Sequence, residues 1–291
     1  NAMEVSNEGI EFEVTCDILR ETKVTWRSKI TASRNWNRFE KSYSGKDVVD
    51  GDGTLLVVGR PLNGLYVWAH RGYYNSDAEV PRLYKIDGQE IYFNGVATNG
   101  ISGAVGDYRL LDLDGDGNPD SYYAGSPLPL AHGGWVNELM WKNFDLNVLV
   151  NFTIGRKMIN NRMGLGFSRQ SEDGHLTKLF DYRKLRPWDG VNKKPNAPAW
   201  GNSLSMNTDS AIEKVHHLAL KQITLGYNLP DRISKKAGLS GVRFFLTAEN
   251  LFYLSNYSGG NPEVVNIYTG RDNGDTYPLP RKYTLGLTLN F

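Results

Sequence analysis

Residues 282–291 read KYTLGLTLNF, and the apolar residues from Tyr283 to Phe291 alternate with polar or small ones. Successive side chains of a β-strand point to opposite faces, so a period of two predicts a strand with one apolar face and one polar face. An alternating run that stops on a terminal aromatic residue is unusual for a soluble domain, where the last residues often fray.

The same alternation recurs along the chain. Residues 144–154 read FDLNVLVNFTI and residues 10–18 read IEFEVTCDI, again with apolar residues at every second position. No stretch has the pattern of a long amphipathic helix, although 231–238 suits a short helical turn that Gly238 would end. Seven strands are predicted, at 10–19, 23–33, 132–142, 144–154, 217–228, 242–253 and 281–291.

The connectors between these strands alternate between short and long. Three are long, at about 35–131, 155–216 and 255–280, and they are rich in Gly, Pro, Asn, Asp and aromatic residues. Short turns on one rim and long loops on the other are typical of bacterial outer-membrane barrels. The run 55–74 is also strand-like, but a spanning strand there would break the alternation, so we assign it to a fold within the first long loop.

The predicted fold is therefore all-β, an antiparallel up-and-down transmembrane β-barrel segment with long extracellular loops. About seven spanning strands make an incomplete barrel, because bacterial single-chain barrels have even strand numbers and open edges are not tolerated in lipid. We expect further strands before residue 4. The start, residues 1–3, has the character of an expression-tag remnant, and 4–291 would be one barrel domain.

Composition excludes several classes of function. Lys and Arg number 33 against 32 Asp and Glu, and a net charge of +1 predicts no nucleic-acid partner. The one cysteine, Cys16, excludes an internal disulfide. No apolar stretch reaches the ~18 residues of a membrane helix, whereas a spanning strand needs only about 9–11 alternating residues.

Several short motifs resemble, in order along the chain, those of the SusC/RagA family of TonB-dependent outer-membrane transporters. Four of them lie in the second half of the chain and resemble the C-terminal part of the family's barrel. Two others resemble an Asp-rich segment and the entry into an earlier hairpin. The motifs are WKNFDL at 141–146, LKQITLGYNLP at 220–230, VRFFLTAENLF at 242–252, YPLPRKYTLGL at 277–287, DLDGDG at 112–117 and GIEFE at 9–13.

This resemblance implies a function and partners. Family members sit in the outer membrane of Bacteroidetes, a Gram-negative group. They import glycans, oligosaccharides or peptides with a SusD-like lipoprotein that lids the extracellular mouth. TonB supplies the energy through an N-terminal plug, of which this sequence contains no recognisable part. We therefore expect a fragment of a nutrient receptor, with outer-membrane lipid around it and no enzymatic activity.

An acidic segment is the candidate metal site. Asp112, Asp114, Asp116 and Asp120 approximate the start of a Ca²⁺ loop, in which oxygen ligands at alternate positions converge on a hard cation. The final bidentate acid is absent, since Tyr123 stands in its place. A tight Asp/Gly turn that binds its own backbone is the alternative.

Two further sets of residues are candidate sites. Loop aromatics could stack on sugar rings or contact the lipoprotein, although aromatics also simply pack long loops into ordered caps. The residues in question are Tyr66, Trp68, Tyr73, Tyr74, Trp188 and Trp200. Tyr283 and Phe291 resemble the signal by which outer-membrane proteins are recognised for barrel assembly.

Two other functions stay open. A soluble β-sandwich that binds carbohydrate would also have alternating strands, but it would hide its apolar faces. A glycoside-processing enzyme would need two carboxylates at a defined separation in one cleft, and no such pair stands out among the loop acids.

Overall fold

The computed structural model describes residues 3–20, 23–49, 55–80, 82–84, 90–92, 105–115, 120–161, 186–191, 194–199, 208–274 and 276–291. Within these ranges β-strands dominate. In chain order the strands are β1 (Met3–Leu19), β2 (Val24–Ser42), β3 (Val48–Val49), β4 (Leu55–Leu56), β5 (Leu65–Trp68), β6 (His70–Tyr73), β7 (Arg82–Tyr84), β8 (Glu90–Tyr92), β9 (Tyr108–Leu110), β10 (Ser121–Gly125), β11 (Ala131–Trp141), β12 (Phe144–Asn160), β13 (Ile212–Asn228), β14 (Gly241–Ser255), β15 (Arg271–Asp272) and β16 (Lys282–Asn290).

Helical structure in these ranges is short. One α-helical turn, α1 (Asp231–Ser234), runs into a 3₁₀ turn and ends at Gly238, whose φ of 73° is left-handed, as the sequence predicts. No described helix has the length and apolar character needed to cross a membrane. The 3₁₀ turns are Asp77–Glu79, Asp209–Ala211, Lys235–Ala237 and Pro262–Val264.

One large sheet contains the long strands, in the order β1-β2-β11-β12-β13-β14-β16, and β15 pairs separately with β12. Every adjacent pair in that order is antiparallel. The seven predicted strands and their up-and-down order are thus confirmed. The sheet does not close, because the outer edges of β1 and β16 have no strand partner within the described ranges.

Short and long connectors lie on opposite rims of this sheet. On the short-turn rim, the Asn228 amide donates to the Asn143 carbonyl at 2.8 Å, and the Ser240 amide donates to the Asn290 carbonyl at 2.8 Å. The link between β1 and β2 is on the same rim, although its residues 21–22 lie outside the described residues. The predicted parity of the connectors is confirmed where the structure describes them.

The strands reach further toward the long-loop rim than the alternation predicts. β2 continues to Ser42 and β12 to Asn160, and β13 begins at Ile212, five or more residues beyond the predicted bounds. In the extension of β12 residues on both faces are buried, so the alternation of apolar and polar residues disappears there. The first and middle long loops are correspondingly shorter than predicted.

A bulge in β12 marks this change of environment. Thr153 pairs with His217 and Arg156 with Val215, which leaves Gly155 in an extra position with a φ of 72°. Below the bulge the even-numbered residues of β12 lie on the apolar face, which we call the outward face. Above it the even-numbered residues lie on the opposite, inward face, because one inserted residue exchanges the two sides of a strand.

The two faces of the extended strands carry separate small cores. On the outward side Ile159 packs with Leu65 and Val67 of β5 and Ala124 of β10, which belong to the first long loop. The inward core belongs to the last long loop and consists of Met158, Val215, Tyr257 and Val265.

The first long loop folds into hairpin-like pairs of its own. β5 pairs with β10, and β6 pairs with β9, so the strand-like run 55–74 belongs to the loop and not to the wall. This outcome confirms the assignment that the alternation of connectors required. Phe39, which is buried near the long-loop end of β2, attaches this loop to the strand. Its amide donates to the Arg60 carbonyl at 2.9 Å.

We predict that Gly155→Ala destabilises the fold by about 1–2 kcal/mol, because a side chain in the left-handed region costs that much. The added Cβ would also lie 2.7 Å from Leu130 Cδ1. Gly134→Ala is the matched control, since its Cβ would meet no atom closer than 3.5 Å and its φ is negative. Urea unfolding in detergent measures both variants, and equal stability of the two would contradict the role of the bulge.

Candidate functional site

The outward face of the wall is apolar and uncovered. Leu225, Leu246 and Leu285 form one row across three strands and expose 46%, 49% and 81% of their surface. Along β12 the outward positions run from Phe144 to Ile154. At ~3.4 Å per residue and a tilt of about 40° this stretch spans roughly 26 Å, which matches the ~25 Å apolar band of membrane barrels.

Aromatic residues border this face at the short-turn rim. The rings of Trp141 and Phe144 stack at 6.1 Å, and the ring of Phe144 contacts that of Tyr227 at 4.7 Å. Lys142 Nζ lies 4.9 Å from the Trp141 ring. Girdles of this kind are typical where a barrel leaves the hydrocarbon core for the polar interface.

Two polar side chains interrupt the outward face and are satisfied by indoles. Trp26 Nε1 donates to Asn137 Oδ1 at 3.0 Å, and Trp135 Nε1 donates to Ser28 Oγ at 2.7 Å. Asn137 and Ser28 are directly opposite each other on adjacent strands. These bonds pair polar atoms that would otherwise be costly to place against an apolar medium.

The inward face carries charges in pairs. Many of its charged residues are joined by ion pairs between strands. The pairs are Lys29 with Glu13 at 2.9 Å, Arg27 with Asp17 at 2.6 Å, Arg243 with Asp145 at 2.5 Å and Lys282 with Glu249 at 3.6 Å. Such partly exposed pairs add little stability, so their value is a hydrated, charge-balanced surface opposite the apolar one.

Arg156 joins the wall to the last long loop. Only 5% of its surface is exposed, and its guanidinium donates to the carbonyls of Pro262, Val265 and Asn266 at 2.8–3.1 Å. Burial lowers the pKa of this guanidinium. Nearby, the Tyr257 hydroxyl donates to Asp272 Oδ2 at 2.8 Å. The loop is therefore fixed against the inward face above the bulge.

The first and middle long loops pack into a common cap. His70 Nδ1 contacts Asp209 Oδ1, and the Tyr122 hydroxyl donates to Asp209 Oδ2 at 3.1 Å. Trp68 forms a β-bridge with Thr208. The Asp209 carboxylate thus takes two partners from the first loop at the point where the middle loop enters β13.

Most of the predicted binding aromatics build this cap. Tyr66 lies 5.7 Å from Tyr123, and burial raises the pKa of Tyr66 to about 12. Tyr73 stacks on Tyr108 at 5.3 Å, and burial raises its pKa as well. Tyr74 is 5% exposed, so its ring offers no surface to a ligand.

The predicted tryptophans have different surroundings. Trp188 donates from Nε1 to Asn75 Oδ1 at 3.2 Å, which attaches the middle loop to the first. Trp68 and Trp188 remain half-buried and partly accessible. Trp200 lies outside the described residues.

The predicted acidic site is partly assembled. Carboxylate oxygens of Asp112, Asp114 and Asp120 lie within 4.8 Å of one another, whereas Asp116 lies outside the described residues. Asp120 Oδ2 also accepts the amides of Leu113 and Asp114, and Asp112 Oδ1 accepts that of Gly115. The carboxylates suit a hard cation, and the same hydrogen bonds are those of a self-capped turn.

The C-terminal aromatics lie on the outward side. Tyr283 exposes 65% and Phe291 93% of its surface, and the Ser240 hydroxyl donates to the Phe291 carbonyl at 3.3 Å. Phe291 therefore stands at the short-turn rim, beside the turn that precedes β14.

Sequence reasoning missed Arg156, the contact of His70 with Asp209 and the role of Gly155. The end of the alternation at Ile154, followed directly by Gly, is the signal that could have revealed the bulge. The partners of Arg156 and His70 are about a hundred or more residues away, and no local pattern encodes such pairings.

An open antiparallel sheet with an uncovered apolar face, a charged face and long loops on one rim defines the wall of a membrane β-barrel. Comparison with solved structures agrees with this fold. A structure of the RagAB peptide transporter matches with a TM-score of 0.72 at 21% identity, over 99% of this chain and 30% of that one. RagAB in its closed-closed state matches with a TM-score of 0.69 at 19% identity.

No protein-family model matches the chain, but the chain is similar over its whole length to several curated proteins. TonB-dependent receptor P26 of Formosa agariphila is 28% identical over the whole chain, receptor P3 of the same organism 25%, and SusC of Bacteroides thetaiotaomicron 26%. The predicted resemblance is confirmed, because the whole chain is similar to part of several TonB-dependent receptors, SusC among them. These names describe receptors and not enzymes, as expected. The chain spans 27–30% of the length of these relatives.

We predict that Arg156→Gln releases the last long loop from the wall. The shorter neutral side chain loses charge-assisted hydrogen bonds that contribute about 1.5–3 kcal/mol each. Hydrogen exchange of residues 256–272 should accelerate by at least ~tenfold, while exchange in the lower half of β12 stays unchanged. Lys214→Gln, an exposed cation at the same height of the neighbouring strand, should leave the loop protected. Equal protection in Arg156→Gln and wild type would contradict the role of Arg156 in holding the last long loop against the wall.

Proposed function

We propose that this chain forms part of the wall and mouth of an outer-membrane importer of nutrients. The observation that carries the proposal is the division of one sheet into an uncovered apolar face and a charged face. Lipid would contact the outward face, and the inward face would line a hydrated lumen. The long-loop rim would then be extracellular and the short-turn rim periplasmic.

The division of the sheet into an uncovered apolar face and a charged face argues against a soluble carbohydrate-binding sandwich. A sandwich buries its apolar face against a second sheet. Below the Gly155 bulge, no described element packs on the outward face, where Leu218, Phe244 and Leu287 each expose more than 40% of their surface. Only an apolar surrounding removes that surface from water.

The cargo and partners are proposed from the family. RagAB is a peptide transporter, and glycans or oligosaccharides are the other cargo that we predict for this chain. A SusD-like lipoprotein would seat on the loop cap, and TonB would act through a plug. Tyr66, Trp68, Tyr73 and Trp188 are the predicted aromatics with surface left to contact cargo or lipoprotein, whereas buried Tyr74 would support them.

A matched pair of substitutions tests the membrane orientation. Ile223 lies in the middle row of the outward face, and Thr224 follows it on the inward face. Ile223→Arg should cost about 2–4 kcal/mol at the bilayer midplane and deplete the protein from the outer membrane. Thr224→Arg should be tolerated, because it loses only the partly buried hydrogen bonds of Thr224 with Gln222 and Thr247.

Import is measured in the same strains. Cells that lack the gene, complemented with wild type or either variant, are grown on oligosaccharides or on peptides as the sole carbon source. We expect growth on one of the two cargo classes with wild type and Thr224→Arg, and its loss with Ile223→Arg. Equal membrane levels of both variants would sink the wall assignment, and growth on neither cargo would sink the import assignment.

We propose further that the acids of 112–120 bind Ca²⁺ in the loop cap. Ca²⁺ should raise the melting temperature of the wild type more than Mg²⁺ does, because the larger ion accepts irregular oxygen cages. Asp114→Asn should abolish the increase, and the exposed Asp231→Asn on the other rim should preserve it. An equal response of both variants would show that no specific site exists.

Tyr283 and Phe291 remain the proposed assembly signal. Both rings are exposed on the outward side, Phe291 at the short-turn rim and Tyr283 at the other end of β16, so both are accessible to an assembly factor. In this proposal β16 is recognised before it is surrounded by lipid.

A further inference from the structure

A cavity of about 350 Å³ opens on the inward face between β13, β14 and the last long loop. Irregular pairing shapes its floor, because Leu220 pairs with Phe252 but Gln222 pairs with Glu249. Asn250, at this irregularity, adopts a φ of 52° and donates from its amide to the Pro280 carbonyl at 3.2 Å. A non-glycine residue held in the left-handed region is uncommon in a strand and often accompanies a functional site.

Hydrogen bonds hold the roof of the cavity in place. It consists of the turn Pro262–Val264, which begins at Asn261, whose Oδ1 accepts the Glu263 amide at 2.9 Å. Arg156 donates to the carbonyl of Pro262 in this turn and to that of Val265 directly after it. These bonds order the loop over the cavity, and an ordered site lowers the entropic cost of binding.

Among the residues that the structure describes, the charged ones around the cavity form ion pairs, with the exception of one cation. Glu263 pairs with Lys221 at 3.3 Å and lies 3.9 Å from His217 Nε2, and Glu249 pairs with Lys282. Arg281 also lines the cavity. Within the described part of the chain it has no ion pair and no hydrogen bond. An unpaired guanidinium at a preformed cavity is suited to bidentate contact with a carboxylate.

The same cavity has aromatic and apolar lining residues. Tyr253, on the inward face of β14, exposes 40% of its surface, and Leu279 exposes 37%. Both line the same cavity. A half-exposed ring can stack on the body of a solute while polar groups hold its charged end.

We propose that this cavity binds a solute bearing a carboxylate, with Arg281 pairing the carboxylate and Tyr253 packing against the adjoining ring or chain. The inference rests on the proposed function, because a solute reaches the inward face only in an importer. A carboxylate of this kind occurs in acidic sugars and at the C-terminus of peptides. The volume fits one such terminal unit and not a long polymer.

Two matched pairs of probes separate these sources. Glucuronate is compared with glucose, and N-acetyl-alanylalanine is compared with its C-terminal amide, by calorimetry on the chain in detergent. One of the two acids should bind, and its neutral counterpart should bind at least ~tenfold more weakly, since a charge-assisted hydrogen bond is lost. Arg281→Gln should weaken binding of the acid by a similar factor. Tyr253→Leu should weaken binding of both members of that pair.

Arg232→Gln is the charge-matched control, because Arg232 is exposed on the opposite rim. Wild-type affinity in this variant, with melting temperatures unchanged in all three, supports a specific site. Binding of neither acid, or equal weakening by Arg281→Gln and Arg232→Gln, overturns the proposal. If binding fails while growth on glycans or peptides persists, the proposed site is wrong and the proposed import function stands. If an acid binds but growth fails, the site stands and the proposed import function is wrong.

Discussion

The wall depends on lateral hydrogen bonding between neighbouring strands, because one of its faces receives no cover from the rest of the chain. Each antiparallel ladder pairs the backbone groups of its strands, so that only side chains meet the surroundings on the outward face. Those side chains are apolar, and the two polar exceptions, Ser28 and Asn137, are bonded by indoles. A sheet arranged in this way is stable where the medium is apolar and has no groups to offer.

Where that medium ends, the chain itself must cover the strands. Gly155 supplies the extra residue that exchanges the two faces of β12, and the first loop then packs on one side and the last loop on the other. Arg156, the residue after the bulge, is buried by this change and satisfies three loop carbonyls. A single glycine therefore determines both the upper limit of the bare face and the anchoring of the mouth.

The mouth is a packed structure and not a set of independent loops. Asp209 receives His70 and Tyr122 from the first loop, and Asn63 Nδ2 donates to the Tyr268 carbonyl of the last loop at 2.9 Å. Aromatic rings that could contact cargo are largely used to hold these loops together. On the inward face, Arg281 and Tyr253 border a cavity that the last long loop covers.

The sequence by itself determined the seven strands, their two faces and the alternation of short and long connectors, because each follows from neighbours along the chain and from the two-residue period of a strand. It also indicated the family and the aspartates of 112–120. Only the tertiary structure decided that Tyr74 is buried and that strands continue past Ser33 and Ile154. The tertiary structure also decided the contacts of Arg156 and His70 and the position of Arg281 beside the cavity. These features depend on segments far apart in sequence that meet only once the sheet has formed, and no local pattern records such contacts.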